Sequence, residues 1–229
     1  NLTAGTLIAG NDAAFGTSLI NVTAASTIEA SATRALANNL QLNSTTAFSL
    51  NLGGSQALAF NGNVSQIGNS HTIAITNSAL TTFGDASSDQ LILAENNQAR
   101  TLTLDVGAGG LTINSTIVDG AGTGADNLTK AGSGTMTLNA SSTYTGITNL
   151  QNGTTILGGG AGDRLPVTTA LTLGSGANSA TLQLGNGSGA SSQTIASLTT
   201  SGSGTSNQIV GGNATFSTLT VNQSTNTTY

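Results

Sequence analysis

The chain has no cysteine, no tryptophan and one proline, and its 4 basic and 9 acidic residues make up 6% of 229 positions. Each shortage excludes something. Without cysteine there is no disulfide, no thiol nucleophile and no thiolate metal site, so stability must come from packing and hydrogen bonds. Four cations, Arg34, Arg100, Lys130 and Arg164, are spread along a chain of net charge -5. They cannot form the basic track that phosphate recognition needs, which argues against nucleic acid and anionic membrane surfaces as partners. No apolar run approaches the roughly 18 residues of a membrane-spanning helix, so this segment is not expected to insert into a bilayer. The N-terminus has no starting Met and no signal-like pattern. A removed leader, or a section cut from a longer chain, is the expectation.

What the chain has in quantity is 39 Thr, 31 Gly, 26 Ser and 24 Asn. These are turn and strand formers. No window of helical length carries a convincing apolar stripe; Ser31 to Leu42 comes closest, and the alternation around it favours a strand. Disorder needs low hydrophobicity with high net charge. Here 37% of residues are hydrophobic and they alternate with polar ones.

The alternation is clearest at Leu40-Gln41-Leu42, Phe48 to Leu52, Leu58-Ala59-Phe60, Ile73-Ala74-Ile75, Leu91-Ile92-Leu93, Leu102-Thr103-Leu104 and Leu111-Thr112-Ile113. It continues at Met136-Thr137-Leu138, Leu171-Thr172-Leu173, Leu182-Gln183-Leu184 and Leu219-Thr220-Val221. Period two with one apolar face marks half-buried strands. The cores at Leu102, Met136 and Leu171 lie 34 and 35 residues apart with other strands between them, which points to a recurring multi-strand unit. Leu102, Leu104, Met136, Leu138, Leu171 and Leu173 are expected inward, their intervening Thr outward.

The expected fold is all-β, a right-handed parallel β-helix of about 9 to 11 coils, at roughly 20 to 25 residues per coil, forming one rod about 45 to 55 Å long. Stacked parallel strands put equivalent positions about 4.8 Å apart, where like charges repel and Asn and Thr can form ladders. A surface of amides and hydroxyls fits that geometry. An antiparallel sandwich or barrel is the alternative, and Asn61-Gly62, Asn152-Gly153 and Asn186-Gly187 would suit its hairpin turns.

The sequence also repeats itself. Asn149 to Gly159 is echoed by Asn1 to Gly10 with one residue deleted, and Ser142-Thr143-Tyr144 by Thr227-Thr228-Tyr229. One solenoid spanning residues 1–229, with internal repeat units near 1–148 and 149–229, is the expected organisation. Asn1 to Gly10 and Phe216 to Val221 are strand-forming rather than capping. A further copy is therefore expected to continue the rod head to tail, by covalent linkage or by stacking, as an open filament.

Leu128-Thr129-Lys130-Ala131-Gly132-Ser133-Gly134-Thr135-Met136-Thr137-Leu138, then Thr143-Tyr144-Thr145-Gly146-Ile147-Thr148 and Gly153-Thr154-Thr155-Ile156-Leu157, resembles the passenger-associated repeat of bacterial autotransporters. Ile147 stands where that pattern commonly has a second Gly. The clear motif covers about 35 residues, and weaker matches appear at Ala14 to Thr17 and Leu111 to Asn114. The resemblance implies a right-handed parallel β-helix, secreted and exposed at a bacterial cell surface, with roles in adhesion, display or surface layers. It carries over no catalytic residue.

Several local patterns admit sharper readings. Ala121 to Leu128 follows the calcium-binding nonapeptide except for its first Gly, but it occurs once, and a calcium roll needs tandem copies. A plain Gly-rich turn is favoured, and calcium binding at Asp126 stays open. Gly120 to Ala125 satisfies a loose dinucleotide pattern without a following helix to hold a pyrophosphate. Catalysis on polysaccharides would need converging acids. The candidates are Asp85 with Asp89, Asp119 with Asp126, and the lone His71. The carboxylates read as solvated turn residues, His71 as a surface or ladder residue, so no catalytic, cofactor-binding or metal residue is assigned. A dozen Asn-x-Ser/Thr sequons, among them those at Asn21, Asn43, Asn63, Asn114, Asn139, Asn186, Asn213 and Asn222, read mostly as polar ladders. The functional expectation is a structural or adhesive extracellular β-helix that is not an enzyme. Its partners would be further copies of itself and host or matrix glycans. A sugar-binding or polysaccharide-cleaving β-helix is the alternative.

Overall fold

The computed structural model describes residues 1–85, 88–160 and 162–223, and in them the chain winds as a parallel β-solenoid of nine coils without a helix. Coil 1 holds β1 (Thr6–Ala9) and β2 (Ile20–Val22); coil 2 holds β3 (Ser26–Ala30), β4 (Arg34–Leu36) and β5 (Leu40–Ser44). Coil 3 follows with β6 (Ser49–Leu52), β7 (Leu58–Phe60) and β8 (Val64–Gly68), and coil 4 with β9 (His71–Ile75), β10 (Thr81–Phe83) and β11 (Gln90–Ile92). Coil 5 has β12 (Thr101–Val106), β13 (Leu111–Ile113) and β14 (Thr116–Val118), and coil 6 has β15 (Asn127–Ala131) and β16 (Thr135–Leu138). Coil 7 has β17 (Thr148–Leu150) and β18 (Gly153–Leu157), and coil 8 has β19 (Ala170–Leu173), β20 (Ala180–Leu184) and β21 (Gln193–Ile195). Coil 9 closes with β22 (Ser197–Thr200), β23 (Gln208–Gly211) and β24 (Leu219–Val221).

The first strand of every coil joins a nine-stranded sheet, the second face forms an eight-stranded sheet from coil 2 to coil 9, and the third face forms a five-stranded sheet through coils 1 to 5 and a two-stranded one in coils 8 and 9. Every pair of named strands is parallel, which rules out the antiparallel sandwich. Asn152-Gly153 turns a corner between two sheets rather than closing a hairpin. Asn186 does start a tight turn, bridging back to Gly189 within one coil. Nine coils at about 4.8 Å per step give a rod on the order of 40 Å, slightly short of the expected range.

Alternation fixes which side chains fill the interior. Leu102, Leu104, Met136, Leu138, Leu171 and Leu173 are all buried, while Thr103, Thr137 and Thr172 face outward and are half-buried. All eleven alternating segments mark strands, nine of them lying wholly within one, while Phe48 precedes β6 and Leu93 follows β11 by one residue. In register the interior is a set of columns: Leu50, Ile73, Leu104, Lys130, Leu150 and Leu173 stack in one, and His71, Leu102, Leu128, Thr148, Leu171 and Leu198 in the next. Each buried Leu contributes about 1.5–3 kcal/mol relative to exposure.

The coil length is not constant. Leu128 pairs with Thr148, 20 residues on, whereas His71 pairs with Leu102, 31 residues on. The 34- and 35-residue spacing is therefore not the coil repeat. It connects Leu102 and Leu171 of the nine-stranded sheet to Met136 of the eight-stranded sheet. The echoed phrase likewise sits on different faces, since Leu150 lies in the nine-stranded sheet while Leu2 bridges to Val22 of the five-stranded one. Tyr229, the match to Tyr144, lies outside the described residues.

Outside, the polar ladders form as the composition suggests. Asn139 Nδ2 donates to Asn114 Oδ1 at 2.8 Å, Asn21 Nδ2 to Asn1 Oδ1 at 2.8 Å, and the Thr172 and Thr199 hydroxyls meet at 3.1 Å. Asn21, Asn63, Asn114, Asn186 and Asn213 are half-buried and Asn43, Asn139 and Asn222 exposed.

Candidate functional site

The third sheet is interrupted at coils 6 and 7, and Asp119, Asp126 and Arg164 lie beside that gap. Asp119 ends the third face of coil 5. Its Oδ1 accepts the Asp126 N–H at 3.1 Å, closing the Gly-rich loop, and its Oδ2 accepts both the N–H and the hydroxyl of Thr145 at 2.9 and 2.7 Å. Asp126, 1% exposed, turns its Oδ1 to the Arg100 N–H at 2.9 Å. Burial is the main reason its carboxyl titrates above the ordinary range, and the neighbouring Asp119 charge adds to it. The expectation that these were solvated turn carboxylates is corrected on that point: the two are brought together, and both hold backbone across coils. Asp85 and Asp89 do sit in a loop, where Asp89 Oδ2 accepts the Asp85 N–H at 3.0 Å.

His71 is not a surface residue. It is 2% exposed, because it opens strand β9 in the same inward register as Ile73 and Ile75. Its Nδ1 accepts the Phe48 N–H at 3.3 Å, so the proton is on Nε2, which faces the Ile67 carbonyl at 3.3 Å. Phe48 lies against the imidazole with ring centres 4.4 Å apart. Burial lowers the histidine's pKa and keeps it neutral, and among the described residues no carboxylate bonds to it.

Two of the four cations are inside as well, a placement that residue type alone did not suggest. Lys130 is fully buried in the column between Leu104 and Leu150. Its Nζ donates to the carbonyls of Gly132 at 2.6 Å, Gly134 at 2.7 Å and Asn152 at 2.5 Å. Arg164 reaches Gly158 O through Nε at 3.1 Å, and Gly159 and Gly162 O at 3.3 and 3.4 Å. Gln193 of coil 8 supports that turn, its Oε1 accepting the Arg164 and Leu165 N–H groups at 2.8 and 2.9 Å. The signals were present in the sequence: Lys130 continues the Leu128 alternation into Gly132-Ser133-Gly134, and Arg164 follows a run of glycines.

On the outside of the same gap lies a shallow cleft of about 490 Å³ lined by Ser141, Ser142, Thr143, Asp163, Pro166 and Val167, among others. The Ser142 hydroxyl beneath it is buried without a protein partner. Asp163 Oδ1 accepts the Thr194 N–H at 2.5 Å.

Comparison with family models, with curated proteins and with solved structures gave no match. The chemistry available here is thus read from the geometry alone. Among the described residues no three His, Cys, Asp or Glu side chains are grouped to hold a metal ion. The Ala121 to Leu128 loop turns Asp126 inward onto the Arg100 amide. The Gly120 to Ala125 pattern precedes strand β15 rather than a helix. The polar interior, as arranged, holds successive coils in register.

Proposed function

We propose that this chain is a structural and adhesive β-solenoid of a bacterial cell surface, a section of a larger repetitive protein of autotransporter type or a subunit that stacks head to tail. One observation carries the reading: nine coils run along one axis with an uncharged hydroxyl and amide rank outward at Thr72, Thr103, Asn149, Thr172 and Thr199, Thr129 keeping the same register but covered. Such a rod supplies length and surface at little sequence cost, as stacked repeats do generally. The resemblance of 128–157 to the passenger-associated repeat supports an exported, extracellular location. Leu7 and Phe15 help line an apolar hollow of about 300 Å³ at one end, and Phe216 is 97% exposed towards the other. Apolar ends of this kind suit coverage by a further copy.

Glycan contact is the adhesive mode the cleft at coils 6 and 7 suits best. Hydroxyls and a carboxylate can meet sugar hydroxyls there, and Pro166 and Val167 offer an apolar face to ring C–H groups. Cleavage is disfavoured because Asp119, Asp126 and His71 are each engaged by backbone. Incubation with acidic and neutral polysaccharides tests this: retention without new reducing ends or unsaturated products is the expected result. Reproducible cleavage that disappears on Asp126→Ala or His71→Ala would overturn the structural reading. Electron microscopy tests the stacking, with filaments advancing about 40 Å per chain expected; dispersed single rods at every concentration would remove it.

A further inference from the structure

Lys130 is the only lysine of the chain, and nothing in a structural or adhesive role requires a cation in the middle of a leucine column. Its surroundings give it one. An ammonium has three N–H donors, and three carbonyl oxygens stand within 2.7 Å of Nζ. Gly132 and Gly134 flank the corner where coil 6 passes from β15 to β16, and Asn152 occupies the same corner one coil on, between β17 and β18. Gly153, with φ +67°, leaves the space: a Cβ there would lie 2.6 Å from Nζ and 2.5 Å from Gly134 O. Strands β15, β16, β17 and β18 carry no carboxylate, and among the described residues the one charge acting on the amine is Asp105 of β12, beside the Gly132 turn.

We propose that Lys130 is a proton-operated pin for the corner shared by coils 6 and 7. Charged, it saturates all three carbonyls and fastens one coil to the next. When the ammonium gives its proton to solvent, the amine keeps two N–H donors and turns a lone pair toward the third oxygen, so one carbonyl is released. The switch lies within reach of mild alkali, since burial lowers the lysine's pKa to about 8 despite Asp105. The corner therefore has two hydrogen-bonding states within a fold that is otherwise unchanged.

The sole lysine makes the test direct. The full chain, carrying only lysine-free tags and with 13C at the lysine Cε and at the Gly and Asn carbonyls, is titrated from pH 6 to 11 by NMR. One lysine signal should titrate with a midpoint near 8 instead of the ordinary 10.5, and the Gly132, Gly134 and Asn152 carbonyl shifts should follow the same midpoint. A midpoint at the ordinary value, or carbonyls that do not follow it, overturns the proposal. Stability gives a second readout. Below about pH 8 both folded and unfolded chains carry the proton; from there towards 10.5 the unfolded chain binds more, so stability rises with pH. Lys130→Arg, which stays charged throughout, should retain the fold but lose that rise. A folded Lys130→Arg variant with the wild-type slope would equally sink the idea.

Discussion

The Tyr144 hydroxyl and Thr148 Oγ1 lie 2.5 Å apart inside the solenoid, and the direction of the bond follows from what lies beyond it. Thr169 Oγ1 donates to the Gly146 carbonyl at 2.9 Å, so it accepts from Thr148 at 2.8 Å, and Thr148 in turn accepts from Tyr144. A chain of three bonds through four groups thus ties the third face of coil 6 to the start of coils 7 and 8. It is complete, which is the condition for a buried polar chain to stabilise.

Tyr144→Phe removes the first donor and should cost about 1 kcal/mol, and Thr148→Val, which breaks the middle, about 1–3 kcal/mol. The double variant should cost less than the sum, because both act on one network. Urea denaturation of the four proteins reads this; additive losses would mean that the hydroxyls act independently. Burial raises the Tyr144 pKa, so its contribution is full below the ordinary 10.0 and declines as pH rises above it.

Asp119→Ala should cost about 1.5–3 kcal/mol, since it removes an anionic acceptor shared by Thr145 and Asp126. Asp119→Asn should recover part of that loss through the remaining carbonyl oxygen. The measurement is the urea midpoint at an unchanged slope. An alanine variant as stable as the parent would show that Asp119 holds neither loop nor coil.

How far the sequence could be read depended on which physical signal was local. Alternation is local, so Leu102 and Leu104 could be placed inward from three residues of context. Coil closure is not: a coil takes from 19 to 31 residues per turn, the loops between faces absorbing the difference, and a spacing argument that assumes one period joins Leu102 to Met136 across two different sheets. The polar interior was missed for a third reason. His71 and Lys130 occupy inward phases of their strands, beside Ile73 and Leu128, and Asp126 keeps that phase one residue before β15, yet ionisable residues are so seldom buried that type outweighed phase. Their partners are backbone groups, on neighbouring coils for His71 and Asp126 and on its own coil and the next for Lys130, which no sequence motif displays.

Acid should weaken the fold through His71. Its folded pKa lies below the ordinary 6.5, so its contribution is complete above 6.5 and is lost as pH falls below that value, when the unfolded chain takes up the proton first. Raised Asp126 has the opposite sign, since its folded form takes up a proton before the unfolded one does. Thermal midpoints of the parent should therefore drop between about pH 6.5 and 5, before ordinary carboxylates titrate, and His71→Leu should flatten that segment. An equal drop in the variant would place the acid sensitivity elsewhere.

The sharpest check on the inward assignment compares two neighbours. Leu138 is 1% exposed and stacks between Ile113 and Leu157, whereas Thr137, on the same strand, faces out between Thr112 and Ile156. Leu138→Asp places a carboxylate among leucines with no donor prepared for it. It should cost about 4 kcal/mol or more, enough to unfold several coils of a solenoid whose units depend on their neighbours. Thr137→Asp puts the same charge on the outer face, where water solvates it, and should change stability by about 0.5–1 kcal/mol. Circular dichroism melts of both variants decide it, because the chemistry is identical and only the phase along the strand differs. If the two substitutions destabilised the chain equally, Met136 and Leu138 would not point into the core, and the column from Leu111 and Ile113 through Leu182 and Leu184 would be misassigned with them.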